Sequence, residues 1–255
     1  MARPLAVKRH DRIIDAITTT GSVSVADLAD DLNVSRETIR RDLKMLASRG
    51  QLDIVHGGAT RRLAQEPALS KRMTENADGK SQIGRTAASL VEDGMVVLLD
   101  SGTTAQAVAE ALVGHLDLTI ITNALSSAVI LSRVKGFKVV MLGGEVDPID
   151  EGTVGIDTMD MLRNYRVDIA FVACGGVSED GQPTDYTRLW AEQRRRMVAA
   201  AKKTFFIADA EKFGRETPIR IDAMDGAAGI IVDDMPSPTL AAQIQARGLE
   251  VVIGR

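Results

Sequence analysis

The stretch SVSVADLADDLNVSRETIRRDLKML, Ser22 to Leu46, decides how the chain is to be read. It holds two short amphipathic segments, each opened by a serine. Ser24 precedes Val25, Leu28 and Leu32, and its hydroxyl is placed to accept from the backbone N–H of Ala26 or Asp27. Asn33 turns the chain. Ser35 then caps a segment whose inward stripe is Ile39, Leu43 and Leu46, with Val34 and Ile39 spaced as a hydrophobic staple. A capped helix, a tight turn and a second capped helix are helix-turn-helix spacing.

The second helix carries the charge. Arg36, Arg40 and Lys44 fall on a stripe apart from the core stripe, flanked by Glu37, Thr38 and Arg41. Between Ser35 and Arg49 five basic residues stand against two acidic ones, a local +3. The first residues of such a helix meet base edges while neighbouring Arg and Lys neutralise phosphates, so double-stranded DNA is the expected partner. The bland alternative is a solvated face with a Glu37 to Arg41 ion pair at i, i+4. Caps, turn, staple and basic stripe agree on the first reading.

Working outward, Lys8 to Thr20 places Ile13, Ile14 and Ile17 on one helical face ahead of Gly21. After Gly50, Leu52, Ile54 and His56 alternate with Asp53 and Val55 and run into Gly57-Gly58, the pattern of a two-stranded wing. Residues 1–59 are therefore expected to form a DNA-binding domain. The polar stretch 60–79, with Pro67 and scattered apolar residues, reads as a linker, and 80–255 as a second domain. In that second part seven short apolar runs alternate with helical or polar segments. They are Met95 to Leu99, Thr119 to Thr122, Lys138 to Leu142, Val167 to Cys174, Thr204 to Ala208, Gly229 to Val232 and Leu249 to Ile253. Such alternation predicts a mainly parallel α/β sheet covered on both faces.

Composition bounds the rest. With 255 residues, 45% hydrophobic and 26% charged, the chain has the makeup of a globular protein of one large domain or two smaller ones. Its longest uncharged apolar run, Ile169 to Val177, is nine residues, short of the roughly 18 that span a bilayer. Neither a membrane span nor a secretory signal is visible, and a cytoplasmic protein is expected. Cys174 is the only cysteine, and His10, His56 and His115 are scattered, so no metal and no cofactor is expected. The net charge of −4 hides an asymmetry: residues 1–62 hold 11 Lys and Arg against 8 Asp and Glu, the remainder 20 against 27. A basic N-terminal module on an acidic body points one end at a polyanion.

The stretch VSRETIRRDLKMLASRG followed by HGGA resembles the winged helix-turn-helix of the DeoR family of bacterial transcriptional regulators, also called the glycerol-3-phosphate-repressor family. The resemblance implies DNA contacts at Ser35, Arg36, Thr38, Arg40 and Arg41, to which the basic stripe adds Lys44 and the wing His56 and Gly57. For His56 the competing reading is packing at the wing base. Where relatives often carry an Arg two residues before that His, this chain has Ile54 beside Asp53. The likeness continues through LLDSGTT, TIITNA, MLGGE and FIADAEKFG, which stand in the order of the family's sensor domain, itself similar to the fold of ribose-5-phosphate isomerase. It implies a repressor of sugar or polyol catabolic genes, released from its operator by a phosphorylated sugar or related metabolite.

The residues agree with an anion sensor. Asp100, Ser101, Gly102, Thr103 and Thr104 follow an apolar strand and open a helix, where hydroxyls and helix-terminal N–H groups converge on an anion, although simple helix capping gives the same pattern. Thr122-Asn123 and Gly143-Gly144 also end strands, the edge where ligands bind in open α/β sheets. Lys212, after Asp209, offers a cation or is an ordinary surface lysine. Gly79-Lys80-Ser81 mimics the end of a P-loop, but position 74 is Thr and no strand precedes it. Of Arg194, Arg195 and Arg196, successive residues on a helix, only one or two can reach a ligand.

An active isomerase is the alternative. The resemblance places that enzyme's carboxylates where this chain has Val172, Gly175 and Gly176, while Asp168 stands near the start of the strand, so a non-enzyme is expected. A DNA-binding architectural protein with no small-molecule effector is a third class. Trp190 stands where the family usually has Glu and either stacks on a ligand or fills the core. Paired operator half-sites imply a homodimer or homotetramer.

Overall fold

The computed structural model of the chain describes residues 6–49, 51–55, 57–61, 66–215, 217–223 and 226–254. Two compact units divide it, Met1–Ala64 and Gln65–Arg255.

The first unit runs α1 (Ala6–Thr20), β1 (Ser22–Ser24), α2 (Val25–Asp31), α3 (Arg36–Ser48), β2 (Leu52–Val55) and β3 (Gly58–Arg61). Both serine caps form: Ser24 accepts from Asp27 N–H at 3.0 Å and Ser35 from Thr38 N–H at 3.2 Å. Asn33 turns the chain between α2 and α3 at φ 51°, a left-handed conformation that Asn tolerates better than most residues. The inward stripes meet in one core of Ile13, Ile17, Leu28, Ile39, Leu43 and Leu46. The wing has three strands rather than two, because Ser22–Ser24 pairs antiparallel with β3 in the order β1–β3–β2. That approach is close: a Cβ on Gly58 would lie 2.0 Å from the Val23 carbonyl oxygen. Leu52 is buried but Ile54, further along β2, is 52% exposed, so the alternation expected of the wing is inward only where the helices reach it.

The second unit opens with α4 (Leu69–Thr74) and α5 (Ala77–Ala88), followed by β4 (Val96–Leu99), α6 (Thr103–Ala111), β5 (Thr119–Thr122), α7 (Leu125–Leu131) and β6 (Lys138–Met141). A hairpin of β7 (Glu145–Asp147) and β8 (Gly152–Val154) leads to α8 (Ile156–Leu162), β9 (Val167–Ala173), β10 (Gly176–Val177) and β11 (Pro183–Asp185). The unit closes with α9 (Arg188–Ala200), β12 (Ala201–Ile207), β13 (Ile219–Arg220), β14 (Gly229–Val232), α10 (Pro238–Ala246) and β15 (Glu250–Ile253). Seven strands, one from each apolar run of the sequence, form a parallel sheet in the order β15–β14–β12–β9–β4–β5–β6. Val97 and Leu99 of β4 pack with Ile83 of α5 and Val108 of α6, while Leu98 joins the core that holds Met197 of α9 and Ile244 of α10. Each such aliphatic side chain contributes roughly 1.5–3 kcal/mol on burial. The short strands β10, β11 and β13 form a separate antiparallel sheet.

The chain enters the large sheet in the middle. From β4 it moves outward to β5 and β6, then returns to the other side of β4 with β9. Loops after β4 and β9 thus lead to opposite sides, and the carboxyl ends of these two strands form the crevice where open α/β sheets bind ligands.

The stretch 60–79 departs from a linker. β3 continues to Arg61, and from Glu66 the chain is packed into the second unit. Arg72 in it is buried: its guanidinium is 7% exposed and donates to Pro67 O, Ile149 O and Asp150, and the Nζ of the neighbouring Lys80 donates to Arg72 O and Glu75 O. Buried ion pairs at Arg72 account for part of that polar composition, and exposed Ser70, Lys71, Thr74 and Asp78 for the rest.

Candidate DNA-reading face and anion cleft

On α3, Ser35, Arg36, Arg40, Arg41 and Lys44 are exposed and Thr38 is half-buried. Arg36, Arg40 and Lys44 line one groove between α3 and the wing, with Val55, Gly57 and Gly58 opposite. Thr38 and Arg41 lie outside that lining. Arg40 and Arg41 both reach Glu37 at 3.6 Å with exposed side chains, so the anticipated ion pair exists and costs little to break. Thr38 shares a 2.9 Å hydrogen bond with Ser35 Oγ. His56 lies outside the described residues. Underneath, Asp42 is buried and accepts from Arg9 at two oxygens, 2.5 and 2.8 Å, and meets His10 Nε2 at 3.0 Å. Burial pushes the Asp42 carboxyl up, but the hydrogen bonds from Arg9 and His10 outweigh it and hold it below the usual range. The pair ties α1 to α3 and fixes the helix that presents the basic stripe.

In the second unit the loop between β4 and α6 sits in the crevice between β4 and β9. Asp100 is fully buried and braces it: one oxygen accepts from Ser101 N–H at 2.7 Å, the other from Ala173 N–H at 3.0 Å and Arg194 Nε at 2.8 Å. Gly102, at φ 104°, is the N-cap of α6 and has no side chain to give its first N–H groups. Ser101, Gly102, Thr103 and Thr104 line a cleft together with Lys212. Ser101 Oγ is buried there without a hydrogen-bond partner among the described residues. Lys212 closes the single turn Ala210–Lys212 after β12, its backbone N–H donating to Asp209 O at 2.9 Å, while its side-chain amine makes no hydrogen bond or ion pair among the described residues. The lining carries five cations (Arg72, Lys80, Arg194, Lys212, Arg215) against four carboxylates (Glu66, Glu75, Asp209, Glu211).

Several of these were not legible as site residues. Arg72 and Glu66 come from the stretch read as linker, and Lys80 from the discarded P-loop mimic. Of the three consecutive arginines only Arg194 is buried; burial works against its charge, but Asp185 and Asp100 hold its pKa well above the ordinary value. Cys174 lines the cleft with its thiol pushed up to about 12 by burial, which leaves it protonated.

Other expected residues are not brought to the cleft lining. Thr122 Oγ1 accepts from Ala124 N–H at 3.0 Å, and the Asn123 amide donates to Thr153 O at 3.3 Å. Gly143 O accepts from Thr158 Oγ1 at 2.6 Å, and a Cβ on Gly144 would meet that hydroxyl at 2.2 Å. Because β5 and β6 lie toward the sheet's edge, these strand ends seat the β7–β8 hairpin instead. Asp100 too is a brace behind the loop. Trp190 is 4% exposed, and its indole N–H donates to Asp147 at 3.2 Å, so it fills the core.

The three positions singled out by the resemblance to the isomerase, Val172, Gly175 and Gly176, are apolar and tightly packed. Val172 is fully buried in the apolar core. A Cβ on Gly175 would lie 2.9 Å from the Tyr186 ring, and one on Gly176 2.1 Å from the Arg215 carbonyl oxygen. Asp168 is spent at the strand's other end on Val96 N–H and Lys202. Among the described residues no acidic or histidine cluster is arranged for a metal, and no helix is long and apolar enough to cross a membrane.

Comparison with known proteins matches both units. A family model described as the DeoR-like helix-turn-helix domain covers residues 9–63, and one described as the DeoR C-terminal sensor domain covers residues 75–234. The glycerol-3-phosphate regulon repressor of Haemophilus influenzae is 32% identical over 241 residues, 89% of each chain. The repressor of the same name from Escherichia coli is 29% identical over 93% of this chain and 94% of its own, and the HTH-type transcriptional repressor CsqR of Escherichia coli 28% over 96% and 94%.

Proposed function

Since the chain belongs to the DeoR family of transcriptional repressors, we propose that its N-terminal unit reads a double-stranded DNA operator through α3 and that its C-terminal unit senses a phosphorylated sugar or related metabolite in the cleft after β4. Ser35, Arg36, Thr38, Arg40, Arg41 and Lys44, with Gly57 in the wing, form the DNA face; Ser101 to Thr104 and Lys212 receive the effector's anionic group. One observation carries the effector half. The loop after β4 brings a buried hydroxyl with no hydrogen-bond partner among the described residues and an uncapped helix N-terminus to the sheet's switch point, and Lys212 from the turn after β12 lines the same cleft. No acid stands where isomerase chemistry requires one, which supports a sensor that binds without turnover. Paired half-sites one helical turn apart require two copies of α3 about 34 Å apart, so the acting species is a homodimer or homotetramer.

Operator affinity across a salt series tests the DNA half. Arg36→Ala or Arg40→Ala should lower the salt slope by roughly one if a phosphate contact is lost, or cost about 1–3 kcal/mol and relax specificity if a base contact is lost. Unchanged affinity and slope in both variants would refute α3 as the reader. A thermal-shift panel of sugar phosphates tests the other half, since a ligand at 100 times its Kd adds about 2.7 kcal/mol of stability.

A further inference from the structure

The cleft is already occupied from within. Glu66 enters its lining from the first turns of the second unit, two positions after Ala64, where the DNA-binding unit ends. The Glu66 side chain is 10% exposed, and its carboxylate meets Arg72 Nη1 at 2.9 Å. That same nitrogen lies 3.8 Å from where a Cβ on Gly102 would stand, at the centre of the anion loop. Arg72's other nitrogens are committed to Pro67 O, Ile149 O and Asp150. Glu66 and Arg72 line the cleft beside Ser101 to Thr104, so an anion seated on that loop competes with the Glu66 carboxylate for Arg72 Nη1. Glu66 belongs to no helix or strand, so its displacement breaks no helical or sheet hydrogen bond.

We propose that Glu66 is a built-in stand-in for the effector: its carboxylate fills the place of the ligand's anionic group, and the ligand's arrival expels it and frees the segment that follows the DNA-binding unit. This rests on the cleft being the effector site. Without Glu66 the lining loses one of its four carboxylates, and Arg72 Nη1 loses its carboxylate partner beside the anion loop. The groups that face Glu66 are Arg72 from α4, Asp150 from the β7–β8 turn, Arg194 from α9, Lys212 after β12, and Tyr186 ahead of α9. Burial and Asp150 push its carboxyl up to about 7, against the pull of Arg72, Arg194 and Lys212, so near neutral pH it surrenders its charge readily.

Sulfate, a dianion throughout the range used, is the probe. Calorimetry on the full chain at pH 6 and pH 8 should show wild type binding sulfate more tightly at pH 6. Glu66→Gln should bind about ten-fold tighter than wild type at pH 8, as removal of a like charge from a poorly solvated site requires, with that pH dependence gone. Glu66→Ala should do the same, which guards against an effect peculiar to the amide. Amide exchange at residues 67–72 should quicken when sulfate is added to wild type and not to Glu66→Gln. If Lys212→Ala abolishes sulfate binding while Glu66→Gln neither tightens it nor flattens its pH dependence, the stand-in is wrong and the site stands. If Lys212→Ala and Thr103→Val leave sulfate binding intact, or neither wild type nor Glu66→Gln binds sulfate, the site reading fails and this one with it.

Discussion

Asp42 and Glu66 are both acids held by arginine, yet they answer pH in opposite directions. Around Asp42 the two bonds from Arg9 and the contact with His10 outweigh burial, so the carboxylate is favoured. Its stabilisation is present above the ordinary carboxylate range and is lost as pH falls through the lowered value. Asp42→Ala leaves a buried guanidinium without that carboxylate, a loss of about 3–5 kcal/mol, to be read as lost exchange protection in α1 and α3. Around Glu66, burial and Asp150 win. There the folded state favours the proton, so stability is present below the ordinary carboxylate range and lost as pH rises through about 7. The stability gap between wild type and Glu66→Gln should therefore move against wild type from pH 5 to pH 8; a gap that stays constant would show that Glu66 does not titrate in that window. The sequence showed these charges but not their partners. Ser101 to Thr104 could be found because a strand leads into them, whereas Arg72 and Glu66 pair with groups 78 residues away or with each other, and no local pattern marks that.

The elements that were legible are those with a period or a cap. Seven apolar runs became seven parallel strands because both faces of the sheet are covered, and the serines opening α2 and α3 cap as their positions require. Strands of two or three residues carry no period, so β1, the β7–β8 hairpin and the β10–β11–β13 sheet could not be read. Among the caps Ser24 lies outside the proposed reading set. Ser24→Ala should lower the stability of the first unit by about 1 kcal/mol, measured by denaturant unfolding, and leave the salt slope of operator binding unchanged. A fall in that slope would mean that the start of α2 also touches phosphate.

At the scale of the whole chain the two units hold separate cores, so communication between them is a question of linkage. If effector favours a state of low DNA affinity, DNA weakens effector binding by the same factor, typically a coupling of about 1–3 kcal/mol. Thr103→Val and Lys212→Ala should bind operator as wild type does and fail to release it when the best ligand of the panel is added; release as efficient as that of wild type would place the effector elsewhere. The crowding around Gly176 bears on which changes the fold can absorb. A carbonyl 2.1 Å from the position of a Cβ is backbone, and no rotamer change moves it aside. Any side chain there, an acid included, requires the segment around Arg215 to be redrawn at the same time. A change at Gly176 is therefore a change of two segments at once, and this position stays fixed as long as the backbone beside it does.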